Sequence, residues 1–216
     1  MYTPKHFEET ETDRLFELIA AAPLGTLVFS GADGLEANHI PFIHETSVDG
    51  PGVLRAHIPR ANSLSESLRK ATPCVVIFNG PDGYISPSWY ATKQAHGHVV
   101  PTWNYSVVHV HGAVVVVDDP DWVLRQINAL TDQHEADRPE PWSVSDAPEP
   151  FTRGLVSSLV GLEMTVSRIE GKTKASQNQP ERNKSSILEA VSEEQPDTAL
   201  AGLIRRALDK SGPASD

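Results

Sequence analysis

Three clusters of turn-forming residues, Gly31-Ala-Asp-Gly34, Asp49-Gly50-Pro51-Gly52 and Asn79-Gly-Pro-Asp-Gly83, cut the first part of the chain into apolar runs of strand length. Glycine reaches positive φ without strain, proline fixes φ, and asparagine or aspartate bonds its own backbone, so such clusters reverse the chain. The runs they bound, at 24–30, 35–44, 53–58 and 74–78, are rich in β-branched and aromatic residues and too short for helices. Segments 24–30 and 35–44 read as a hairpin, with Pro41 placing the second strand at an edge or a bulge. No strand-to-helix alternation with a glycine-rich phosphate loop is present, which removes dinucleotide and P-loop folds from consideration. The expected architecture is mainly β with peripheral helices (α+β), an antiparallel small barrel.

The remaining segments fit that frame. Thr10 or Thr12 caps a helix whose apolar positions Leu15, Phe16, Leu18 and Ile19 end before Pro23. Ser63-Leu-Ser-Glu66 is a capping box opening a short helix that ends near Thr72. A strand resumes at 84–86 after the third turn cluster, and 87–100 reads as a loop with one helical turn. A long strand follows to Val117, bent at Gly112; on a two-residue repeat Trp103, Tyr105, Val107, His109 and His111 share one face, and Asn104, Ser106, Val108 and Val110 the other. Then come an amphipathic helix at 121–135 on Trp122, Leu124, Ile127 and Leu130, a loop at 137–150, a short helix at 151–159 and a last strand at 160–169. Helices at 180–191 and 198–208 close the chain, dividing it into a barrel domain over 1–180 and a C-terminal helical extension over 181–216.

Composition limits the function classes. At 216 residues, 39% of them hydrophobic, the chain buries a core of ordinary size, and no apolar run is long enough to span a bilayer. The segment Met1-Tyr-Thr-Pro-Lys-His-Phe7 lacks the apolar stretch of a signal peptide, and the one cysteine, Cys74, forms no internal disulfide, so a cytoplasmic protein is expected. With 18 Lys plus Arg against 29 Asp plus Glu the formal charge is -11, which disfavours direct binding to duplex DNA. Local basic patches remain at Arg168 with Lys172 and Lys174, at Arg182 with Lys184, and at Arg205 with Arg206.

Two segments carry ligand chemistry. His57-Ile-Pro-Arg60-Ala-Asn62-Ser63 joins a strand end to a helix start, where a guanidinium and backbone N–H groups suit an anion such as phosphate; the competing reading is a surface arginine near a helix. Gly171-Lys-Thr-Lys-Ala-Ser-Gln-Asn178, placed after the last strand, offers two ammonium groups, a hydroxyl and amides for a phosphate or the polar edge of a ring, against the plainer reading of a solvated turn. Tyr84-Ile-Ser-Pro-Ser-Trp-Tyr90 is expected to pack Trp89. The pairs His96 with His98 and His109 with His111 lack an evident third ligand, so no metal site is assigned. No Gly-x-Ser-x-Gly elbow exists and no residue announces itself as an acid or base, which leaves the catalytic residues, and whether there are any, open.

These stretches together resemble one family. Leu24-Gly-Thr-Leu27, Ala37-Asn-His-Ile-Pro-Phe42, Ala56-His-Ile-Pro-Arg-Ala-Asn62, Phe78-Asn-Gly-Pro81, Tyr84-Ile-Ser-Pro-Ser-Trp-Tyr90, Val100-Pro-Thr-Trp-Asn-Tyr105, His109-Val-His-Gly112 and Lys174-Ala-Ser-Gln-Asn178 are similar to the PaiB family, in register to about residue 180. That resemblance implies an FMN-binding negative transcriptional regulator, a repressor with a Greek-key split β-barrel similar to pyridoxamine 5′-phosphate oxidases, working as a homodimer with the flavin at its interface. Carried onto this chain, it places the phosphate near Arg60, Asn62 and Ser63, with Lys174, and the ring edge near Trp103, Asn104, Tyr105, Ser176 and Gln177. The alternative on the same barrel is a flavin- or haem-dependent oxidoreductase, with His57 as the ligand of haem b. One departure stands out: Thr173 occupies the place between two lysines where the family has an aromatic, which keeps a barrel without any cofactor as a third reading.

Overall fold

The computed structural model describes residues 1–47, 50–68, 72–196 and 198–210. Asp49 of the second turn cluster, residues 69–71 at the expected helix end, and 211–216 of the expected extension lie outside the described residues. The elements are β1 (Glu8–Glu9), α1 (Thr12–Ala21), β2 (Leu24–Gly31), β3 (Gly34–Pro41), β4 (Ile43–Ser47), β5 (Gly50–Pro59), α2 (Leu64–Ser67), β6 (Thr72–Ile85), α3 (Lys93–His96), β7 (Thr102–Val117), α4 (Pro120–Glu135), α5 (Glu149–Ser157), β8 (Leu159–Lys174), α6 (Glu181–Glu194) and α7 (Leu200–Lys210). The strands form one antiparallel eight-stranded sheet in the order β3-β2-β6-β7-β8-β5-β4, with β1 paired on β8. Pro41 closes β3, an edge strand, where its missing N–H breaks no ladder between neighbours. The chain then leaves for the opposite edge as β4, so the second half of the expected hairpin is two strands and not one.

By backbone contacts the chain divides into two compact units. One comprises 19–78 and 109–169. Its interior is built from alternate strand residues: Leu27, Leu54, Ala56, Val76, Val110, Leu162 and Met164 are all essentially inaccessible. Phe42 and Phe78 meet edge to face with centroids 6.1 Å apart. Gly161 on β8 leaves the space that the Trp122 ring of α4 fills, since a Cβ there would lie 2.2 Å from Cζ3. Cys74 is buried, and desolvation pushes its thiol up to about 11, which suppresses thiolate chemistry as its apolar neighbours imply.

The other unit comprises 1–18, 79–108 and 170–216. Ile85, Tyr90, Ala175, Ile187, Val191, Leu200, Leu203 and Ile204 form its core, with Trp89 packed against it and donating its indole N–H to Glu194 Oε1 at 2.7 Å. The first residues are tied to β8: Glu8 pairs with Lys172 and Glu9 with Gly171, where the missing side chain makes room for Leu15.

Four expectations about local structure are corrected. The cluster Asn79-Gly-Pro-Asp-Gly83 does not turn; β6 runs unbroken through it, and its glycines serve close approach, Gly80 to Ser106 and Gly83 to Leu200. The capping box does not form. Ser63 is itself helical and makes no cap bond; Asn62 Oδ1 accepts from Leu64 N at 3.0 Å, and α2 is a single turn. Gly171, Lys172, Thr173 and Lys174 lie within β8, which is longer than expected because β1 pairs with its end. On α4 the most buried residues are Val123 and Gln126, whereas Trp122, Leu124, Ile127 and Leu130 are half-buried, because a polar Gln126 turned inward defeats a pattern read on apolarity alone.

Candidate functional site

Strand β7 carries the decisive pattern. Trp103, Tyr105, His109 and His111 are on the more exposed face, Val107 between them is buried, and Asn104, Ser106, Val108 and Val110 are buried. The ring-bearing face is therefore the outer one, and the inner face begins with two polar residues where an apolar strand would continue. Asn104 is fully inaccessible; its Nδ2 donates to Ser176 Oγ at 2.9 Å, and its Oδ1 has no hydrogen-bond partner among the described residues. Ser106 Oγ is likewise buried with no partner among the described residues. A buried polar atom left unpaired costs roughly 1–3 kcal/mol, so it requires a compensating role.

Asn104 lines a cavity of about 260 Å³ together with Phe7, Tyr90, Thr102, Lys174 and Ser176. Lys174 reaches into it from the end of β8 and donates from Nζ to Thr102 Oγ1. Ser176, at φ 62°, is the one non-glycine residue with positive φ among the described residues. Left-handed backbone at a serine is strained and persists only where neighbours over-determine it. Gln177 does so: its Oε1 accepts from Ala175 N at 2.7 Å, and its Nε2 donates to Thr173 O at 2.6 Å and His6 O at 3.1 Å. Both ends of the Gln177 amide are thus committed to shaping the turn that presents Ser176. In the same unit Asn183 and Thr92 bond reciprocally, Thr92 N to Asn183 Oδ1 at 3.0 Å and Asn183 Nδ2 to Thr92 Oγ1 at 3.1 Å.

The neighbours of Asn104 have other partners. Trp103, half exposed, donates its indole N–H to Asp82 Oδ1 at 2.8 Å. The Tyr105 ring lies 5.2 Å from Lys172 Nζ, which also donates to Tyr2 O at 3.2 Å. Lys172 is therefore a structural cation, and Lys174 is the lysine of the cavity.

In the other unit Arg60, Asn62, Ser63, Ser65, Glu66 and Asp118 line a cavity of about 680 Å³. Arg60 holds the Asp118 carboxylate with two bonds, Nη1 to Oδ2 at 2.8 Å and Nη2 to Oδ1 at 2.7 Å, and this pairing raises the guanidinium pKa. It also donates to Leu159 O at 3.1 Å and Ser157 O at 3.3 Å. Because α2 is one turn, its dipole adds little to any anion here. His57, on β5, places Nδ1 2.6 Å from Gln126 Oε1 of α4, an acceptor to which Nδ1 donates. Gln126 is buried, and its Nε2 has no partner among the described residues. Nothing in the local sequence flagged Asp118 or Gln126; their partners lie 58 and 69 positions away.

The donor set fits a flavin in kind. An oxidised flavin ring presents an N–H between carbonyl oxygens, and Asn104 Oδ1 with the Lys174 ammonium offers the complementary acceptor and donor. The cavity of about 260 Å³ is smaller than sites that enclose whole drug-sized ligands, so it suits the polar edge of such a ring.

Comparison with known proteins agrees with this chemistry. A family model described as "Putative FMN-binding domain" matches residues 1–168. A protein of Saccharomyces cerevisiae is 38% identical over 170 residues, covering 70% of this chain and 100% of its own length. The protease synthase and sporulation protein PAI 2 of Bacillus subtilis is 26% identical over 195 residues, covering 90% of this chain and 91% of its own. Among solved structures, the FAD and heme binding protein from Mycobacterium smegmatis superposes with a TM-score of 0.59 at 18% identity, over 77% of this chain and 73% of that one. The shared fold is the split barrel that the sequence led us to expect.

Proposed function

The chain belongs to the FMN-binding domain family, whose model spans residues 1–168, and we propose that the protein is an FMN-binding negative regulator of gene expression, as its resemblance to the PaiB family implies. The observation that carries the flavin assignment is the unpartnered, fully buried Oδ1 of Asn104 in a cavity that also contains Lys174. In this reading Asn104 accepts the ring N–H, Lys174 donates to the adjacent carbonyl, and Ser176 holds the Asn104 amide in place, with Gln177 fixing the turn behind it. Trp103 and Tyr105 flank Asn104 on the outer face of β7, and Arg60, Asn62 and Ser63 supply the contacts for the phosphate. The active form is a homodimer. A bound flavin would supply electron transfer; the protein contributes binding, orientation and charge.

Freshly purified protein is expected to show the two broad absorption bands of flavin, or to acquire them on titration with FMN. Protein that stays colourless and takes up no FMN sinks the assignment. A specific observation supports haem as the second reading: the His57 Nδ1 contact to Gln126 orients the ring and leaves Nε2 as the nitrogen that would hold the iron, and an intense Soret band would identify it.

The regulatory role draws on PAI 2, at 26% identity. With a formal charge of -11 the protein is a poor competitor for duplex phosphates, so we place its action upstream of DNA, through a partner or a redox signal. No salt-dependent retardation of promoter fragments by the purified dimer is expected; retardation at physiological salt that weakens steeply as salt rises would show direct action instead.

A further inference from the structure

The cavity at the end of β5 contains the cation expected to meet a phosphate, yet that cation is already engaged. Arg60 has five N–H donors, and four hydrogen bonds hold it: two to Asp118, one to Leu159 O and one to Ser157 O. The Asp118 contact is bidentate, the same planar two-oxygen match that a phosphate makes with a guanidinium. Other sources of anion affinity at this place are weak. The single turn α2 carries little dipole, Asn62, Ser63 and Ser65 offer only uncharged donors, and the lining includes the carboxylate of Glu66. Arg60 is the cation among the described residues that line this cavity, so the charged part of any anion contact runs through it, and access to Arg60 depends on Asp118.

The pair is also placed to exchange. Its side chains retain 44% and 63% of their accessibility, and solvent-exposed ion pairs contribute little net stability. A phosphate carries more charge than a carboxylate and offers three oxygens, so it competes for the two guanidinium N–H groups at modest cost. The backbone acceptors Leu159 O and Ser157 O meanwhile hold the guanidinium in place on its other edge.

We infer that Asp118 is a specificity-determining residue: it occupies the anion seat of Arg60 and sets how much a ligand's phosphate adds to binding, and so how strongly the protein prefers a phosphorylated ligand over its unphosphorylated counterpart. The inference rests on the reading that this cavity takes the flavin phosphate. Its consequence is a muted preference for FMN over riboflavin in the natural chain, because each phosphate bound must displace one carboxylate.

The test compares wild type with Asp118→Asn, which keeps size and one acceptor oxygen while removing the charge, and with Asp118→Ser as a second variant should the first melt early. Dissociation constants for FMN and riboflavin are measured at low salt, and melting temperatures are followed against inorganic phosphate. The expected result is an FMN-to-riboflavin preference at least fivefold larger in Asp118→Asn, with riboflavin affinity changed less than twofold. Inorganic phosphate should also stabilise Asp118→Asn at lower concentration than wild type, a gain that disappears in Arg60→Gln/Asp118→Asn. An unchanged preference, or weaker FMN binding in the variant, overturns the inference. If neither flavin binds any form, the flavin reading has failed and the phosphate titration alone decides: an Arg60-dependent gain in Asp118→Asn upholds the role of Asp118, and its absence overturns it.

Discussion

Valine in place of Gly112 is expected to destabilise the protein by about 3 kcal/mol and to lower its melting temperature by roughly 6–12 °C. Gly112 lies inside β7, and a Cβ there would stand 2.2 Å from the Thr165 backbone oxygen, 2.8 Å from Met164 Cγ and 3.1 Å from the Thr165 carbonyl carbon. Neither neighbour has room to retreat. Thr165 is held by its pairing with Val53 on β5, and Met164 is fully buried. The lost side chain at this position is what lets β8 approach, and the strand continues through it to Val117 without interruption. Gly154→Ala on α5, where nothing lies within 4 Å of the added Cβ, is the matched control and should stabilise by up to ~1 kcal/mol through helix propensity. A thermal melt decides: if Gly112→Val unfolds within a degree or two of wild type, close approach is not what glycine provides there.

Replacing Asn104 by leucine separates a structural amide from a ligand-binding one. The substitution removes one hydrogen bond, to Ser176, and one desolvated oxygen that none of the described residues satisfies. Each change is on the order of 1 kcal/mol and they oppose one another, so the melting temperature should stay within roughly 4 °C of wild type. Flavin affinity should fall about tenfold or more, because a ring N–H would then be buried against an alkyl group. Equilibrium titration with FMN reads the second effect. A variant that melts far below wild type would make Asn104 a core strut, and an unchanged dissociation constant would remove its oxygen from the site.

Both predictions concern β7, and the strand shows how far sequence reading extends. The two-residue repeat separated Trp103, Tyr105, His109 and His111 from Asn104, Ser106, Val108 and Val110, but not Val107, which shares the ring-bearing face and is buried all the same. It did not tell which set faces inward. The rings drew notice because aromatic residues usually bury, whereas here the buried face opens with an amide and a hydroxyl. The available signal was the polar start of an otherwise apolar face, Asn104 and Ser106 ahead of Val108 and Val110. Turn chemistry was a partial guide in the same way. Gly31-Ala-Asp-Gly34 does join a hairpin, while Asn79-Gly-Pro-Asp-Gly83 stays extended because its glycines are needed under Ser106 and Leu200, which are remote in sequence.

The sequence by itself determined the strand-rich class, the helix positions and the residue types able to hold a phosphate or a ring edge, since periodicity, turn residues and side-chain chemistry act within a few positions. Only the tertiary structure decided which of those groups have spare hydrogen-bonding capacity. Asn104 keeps an unpaired oxygen, Gln177 spends both ends of its amide on the backbone, Arg60 is already held by Asp118, and His57 is oriented by Gln126. Hydrogen bonding saturates: each donor or acceptor is claimed by whichever partner the fold brings within about 3 Å, and in these cases the partner lies on a different element of the chain or only a few residues away across a tight turn.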